Sequence, residues 1–177
     1  LQKPDIAHLK PRFEDWALIK SQVLITGKLT SKVIDNKDNI NKILSNEGRD
    51  VKLKADLESE KVIKEYLLAN SNFPILAEES GANQDLGNSF WVVDPLDGTS
   101  NYSRDFPICC ISIALIHENE ITLGVINDFN RGSLYEGSID SKAKLNGADI
   151  FVSSINNKSK ARLATGLPAK GNFNKQS

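Results

Sequence analysis

The chain has 177 residues and a net charge of −1 from 22 basic and 23 acidic side chains, so length suits one domain and charge gives no electrostatic footprint for nucleic acid or an anionic membrane. A 40% hydrophobic and 25% charged composition is that of an ordinary globular protein. No apolar run approaches the roughly 18 residues of a membrane span, no basic and apolar leader opens the chain, and Cys109 and Cys110 are its only cysteines, so a reducing, cytoplasmic setting is expected.

In chain order, Phe13, Trp16, Ala17, Val23 and Leu24 recur at helical intervals and predict an amphipathic helix over 11–27, with Trp16 as a core anchor. Residues 31–48 are polar and read as a loop, with a further helical stretch through Ile40, Ile43 and Leu44. Asp56 then precedes Leu57, Val62, Ile63, Tyr66 and Leu67, a second helix running to about Asn70. An acid at such a start caps free amides and suits the helix dipole.

The apolar segment 73–77 runs into Glu78 and Glu79, and the apolar run 90–93 stops at Asp94, with Asp97, Gly98 and Thr99 close behind. Each reads as a buried strand that delivers carboxylates to its carboxyl end. Asp94, Asp97 and the carbonyl between them are oxygen donors of the kind Mg²⁺ takes, leaving room for waters and a substrate phosphate. Gly98 lets backbone approach a ligand, and amides opening a helix after it would face an anion. The plain alternative is an Asp-Gly turn with surface acids.

Residues 108–116 are too continuously apolar for an edge strand, so this strand should be central and covered on both faces. Its two cysteines, as neighbours, point to opposite faces and read as small buried residues rather than metal ligands or a disulfide. His117 is expected in a solvent-facing turn, followed by strands over 121–126 and 133–135 and a tight turn at Asn146-Gly147. Helices followed by a mostly antiparallel sheet predict a layered α+β domain.

Asp94-Pro95-Leu96-Asp97-Gly98-Thr99-Ser100-Asn101-Tyr102, with Glu78-Glu79-Ser80 upstream, resembles the paired motifs of the inositol monophosphatase family of Mg²⁺-dependent, lithium-sensitive phosphatases. Leu163-Ala164-Thr165-Gly166-Leu167-Pro168 is similar to a later strand of that family, with Leu for Phe. The resemblance implies the αβαβα sandwich of the inositol monophosphatase and fructose-1,6-bisphosphatase type, with residues 1–177 as its N-terminal metal-binding part. It implies that Glu78, Asp94 and the Leu96 carbonyl bind one Mg²⁺, and that Asp94 and Asp97 bind a second. Thr99, supported by Asp56, would orient the attacking water with Glu78, and the Gly98 and Thr99 amides would hold the phosphate. Glu79 is a candidate for outer contacts to the metal, and a homodimer is the family expectation.

Haloacid-dehalogenase-like phosphatases also carry Asp-Gly-Thr, but they need two aspartates one residue apart, one of them a covalent nucleophile. Here Pro95 and Leu96 both intervene, which favours activated water. The family also supplies an aspartate from a later Trp-Asp segment, and no Trp follows Trp91 in this chain. The 177 residues alone are therefore expected to show little turnover. Asn101-Tyr102 resembles the branch acting on inositol phosphates, while a bisphosphate nucleotidase or sugar phosphatase stays open. The reading from a different class is a non-catalytic metal-binding or dimerisation module.

Overall fold

A computed structural model describes residues 43–47 and 50–162. The helix expected over 11–27 and the Thr-Gly-Leu-Pro segment lie outside them. Strands β1 (Ile43–Glu47) and β2 (Asp50–Leu53) pair antiparallel. The helical stretch read through Ile43 and Leu44 is therefore corrected: these residues belong to a strand that pairs with Asp50–Leu53. Helix α1 (Lys54–Asn70) follows directly, starting two residues earlier than Asp56 suggested.

The second sheet is mixed and eight-stranded. Its strands are β3 (Ile75–Ala77), β4 (Gly81–Ala82), β5 (Ser89–Asp97), β6 (Cys110–His117), β7 (Glu120–Asp128), β8 (Ser133–Ser138), β9 (Ser141–Leu145) and β10 (Ala148–Asp149). They lie in the order β10-β9-β8-β7-β6-β5-β3-β4. β3 runs parallel to β5, while every other neighbouring pair is antiparallel. Short helix α2 (Thr99–Tyr102) leaves the end of β5. The architecture is α+β, as expected from the sequence.

Alternation along each strand separates the two faces. Trp91 and Val93 on β5, Ile111, Ile113 and Leu115 on β6, and Leu123 and Val125 on β7 are buried in one cluster with Ile63 and Leu67 of α1. The same parity carries His117 inward. It is 5% exposed and its Nδ1 lies 2.7 Å from Ser89 Oγ. The solvent-facing turn expected for His117 is thus corrected: the two-residue turn consists of Glu118 and Asn119, both at positive φ, so His117 remains the last strand residue. Asn146-Gly147 makes the expected tight turn, again with both residues at positive φ.

β6 is internal, but its even-numbered face is not fully covered among the described residues. Ala114, Gly124, Ile126, Tyr135 and Ala143 line an open hollow of about 340 Å³ there. Cys109 is buried, and Cys110, half-buried, shares the even-numbered face with the hollow; both are free thiols.

Trp91 anchors the layer between sheet and helix. It is 1% exposed, and its indole Nε1–H donates to Ser71 Oγ at 2.8 Å just beyond α1. Replacing Ser71 by Ala strands that buried donor and is expected to cost about 1–2 kcal/mol, checked by urea denaturation. Unchanged stability would mean that the indole finds another acceptor.

Candidate metal and phosphate site

Two features of the sheet bring the acids together. In the parallel pair β3–β5, Ala77 lies opposite Val93, and the Glu78 N–H donates to the Val93 carbonyl at 3.0 Å. Glu78, just past the end of β3, and Asp94, within β5, are therefore side by side. Between β5 and β6, Asp94 lies opposite Ser112 and Asp97 opposite Cys110. Three steps on β5 thus match two on β6, which is a β-bulge at Pro95-Leu96. Proline has no N–H for the ladder, and bulges are where sheets tolerate it. Three residues apart on a regular strand, Asp94 and Asp97 would point to opposite faces. The extra residue puts both on one face, away from the α1-covered core.

The Asp94 carboxyl is pushed up to about 7. Burial is the largest cause, followed by the hydrogen bond to Glu78 and the negative charges of Glu78 and Asp97, while the Leu96 amide pulls the other way. That amide donates to Asp94 Oδ1 at 3.1 Å. Two carboxyls so placed must share a proton or gain a cation. Among the described residues no group of three His, Cys, Asp or Glu side chains is placed to hold a metal ion by itself. The donors are two adjoining carboxyls, a third acid acting on them through charge, and the Leu96 backbone. Hard oxygen donors with open positions fit Mg²⁺. Cys110 does not compete: its thiol lies 3.8 Å from Asp97 Oδ2 and is pushed up to about 12 by burial and by the charges of Asp97 and Asp94.

Beyond the bulge, Gly98 adopts φ 89 as the cap of α2. The Thr99 hydroxyl donates to Asp56 Oδ1 at 2.9 Å, with the Leu96 carbonyl a second acceptor at 3.0 Å. Asp56 is 2% exposed, so α1 sets the position of Thr99 from beneath. A cavity of about 260 Å³ opens beside Asp97 and Gly98, walled in part by Asn101, Asp128 and Arg131. Arg131 itself is held by Asp128 at 2.6 Å.

Glu78, Asp94, Leu96, Asp97, Gly98, Thr99 and Asp56 thus come to one place, and Glu79 sits next to it. Sequence reasoning missed Glu60. It is 4% exposed on the same stripe of α1 as Asp56, Ile63 and Leu67, and it accepts a hydrogen bond from the Glu79 N–H at 3.0 Å. The available signal was an acid four residues after Asp56, in step with the apolar stripe.

The chain is 36% identical over 120 residues to an inositol-1-monophosphatase of Synechocystis, covering 67% of the chain and 42% of that relative. It is 44% identical over 115 residues to a Nus factor SuhB of Xylella fastidiosa, covering 63% and 41% respectively. The crystal structure of the extragenic suppressor protein suhB of Bartonella henselae superposes with a TM-score of 0.70 at 27% identity, over 78% of this chain and 55% of that one. The chain therefore spans about two fifths of the length of the curated relatives it matches. The model of the Inositol monophosphatase family matches residues 14–175, and the chain belongs to that family.

Proposed function

We propose that the chain forms the N-terminal, metal-binding part of a Mg²⁺-dependent phosphatase for a small phosphate monoester of the inositol monophosphate kind. The observation that carries this reading is that parallel pairing brings Glu78, just past β3, beside Asp94, while a bulge puts Asp97 on the same sheet face as Asp94. Bound Mg²⁺ would supply what monoester hydrolysis lacks in water: a lowered water pKa, neutralised phosphoryl charge and a stabilised leaving oxygen. Glu78, Asp94 and the Leu96 carbonyl would hold one ion, and Asp94 with Asp97 a second.

The remaining roles belong to the chain's own groups. Thr99 has a single hydroxyl proton, and the Asp56 carboxylate is its stronger acceptor. The Thr99 oxygen is thereby left to accept a hydrogen bond from the incoming water, orienting it while Glu78 takes up its proton. First-turn amides have no acceptor inside their helix, so those of Gly98 and Thr99 are suited to hold the phosphate, with Glu79 in outer contacts. Two free cysteines support a cytoplasmic protein, and among the described residues no helix is long and apolar enough to cross a membrane. A homodimer follows from the family alone.

Calorimetric titration tests the site. Mg²⁺ is expected to bind saturably, and inorganic phosphate to bind only in its presence. A chain that takes up Mg²⁺ without phosphate is the non-catalytic metal-binding module, and one that takes up neither is the dimerisation module. Because some relatives are named Nus factors, an RNA gel shift is the control. With a net charge of −1, no retardation is expected.

A further inference from the structure

We propose that Glu60 is a positioning residue for the Glu78-Glu79 segment: its buried carboxylate holds the Glu79 amide and so fixes where Glu78 stands. The inference rests on reading Glu78 as a metal ligand. The last ladder bond of β3 is the one from Glu78 N–H to Val93. One residue further, Glu60 Oε2 takes the Glu79 N–H at 3.0 Å. Its other oxygen lies 3.6 Å from Lys64 Nζ, one helical turn on, and the same ammonium donates to Ser80 Oγ at 2.7 Å. The segment after β3 is thus tied to α1 at two consecutive residues.

A carboxylate this buried is tolerated only where hydrogen bonds and an opposite charge meet it, and both are present. Charge-assisted bonds of this kind are stronger and more directional than neutral ones. Asp56 and Glu60 are four residues apart on one face of α1. The first grips Thr99 after β5 and the second grips Glu79 after β3. A single rigid helix therefore sets the separation between the hydroxyl that orients water and the acid that takes its proton. Groups that orient metal-binding side chains from behind commonly control affinity without touching the ion.

Glu60→Ala in the 177-residue chain is expected to weaken Mg²⁺ binding about tenfold or more, read by calorimetry, and to speed hydrogen exchange at the Glu79 amide of the metal-free chain. Glu60→Gln keeps an acceptor oxygen and should stay within about threefold of the parent. Leu67→Ala, a core change on the same helix, should lower stability yet leave the affinity of the folded chain unchanged, which separates positioning from general loosening. If Glu60→Ala does not fold, Lys64→Met serves in its place, with an expected loss of about two- to fivefold. Parent-like affinity in Glu60→Ala, or an equal loss in Leu67→Ala, overturns the positioning role while the metal site stands. No Mg²⁺ binding by the parent chain overturns the metal reading, and this inference with it.

Discussion

Asp94→Asn is expected to abolish Mg²⁺ uptake while making the metal-free chain more stable. Asp94 is the common member of the cluster: the charges of Glu78 and Asp97 both act on it, and the Leu96 amide anchors it at 3.1 Å. Asn keeps an oxygen for that amide and offers Glu78 a permanent donor where Asp94 must carry a shared proton. The sign follows from the raised folded-state pKa. The contribution of this group is most favourable below the unfolded value of 3.8 and is lost as pH rises through about 7. The full shift corresponds to at most about 4 kcal/mol. For a half-exposed carboxyl, solvent screening leaves on the order of 1–2 kcal/mol. At pH 8, then, the variant should melt higher than the parent without metal and gain nothing from added Mg²⁺, whereas the parent gains in proportion to ligand excess. The affinity loss should exceed the roughly 10–100-fold typical of an outer partner. A variant that melts lower in the absence of metal, or binds Mg²⁺ like the parent, would show that Asp94 is an ordinary strand-end acid.

What was legible in the sequence follows the range of the forces involved. Apolar runs ending in acids are local, so β3, β5 and their carboxylates stood out, as did α1 through its apolar stripe. The bulge was not legible. Pro95 announces a break in the ladder, but only the partner strand shows that Asp97 faces Cys110 and so shares a face with Asp94. Glu60 was hidden for a related reason: its partner is a backbone amide 19 residues away, and no residue type advertises a donor. His117 was misplaced by a shift of one residue in the turn, which is enough to exchange solvent for core on a strand of period two. The β1–β2 pairing escaped because its strands are polar and short, and alternation carries little signal there.

Gly98→Ala should be the most damaging single methyl at the site, losing about 2–4 kcal/mol of stability together with Mg²⁺-dependent phosphate binding. Two costs add. The backbone stands at φ 89, where an L side chain is strained. A Cβ built there would also lie 2.7 Å from the Ile108 carbonyl oxygen and 3.2 Å from both Cys109 Cα and Cβ. Neither neighbour is a flexible chain end that can swing aside. The Ile108 carbonyl also accepts from Asn101 Nδ2 at 2.8 Å, so relieving the clash would loosen α2 from the segment before β6 and shift Asp97 and Thr99 with it. Gly132→Ala provides the comparison: it has φ 63 and nothing within 4 Å of the added carbon, so it reports backbone strain alone, about 1 kcal/mol. The difference between the two variants in urea denaturation isolates the contact with Ile108. If Gly98→Ala is no worse than Gly132→Ala and still binds phosphate, the close approach of the 98 and 108 backbones does not hold the site in shape.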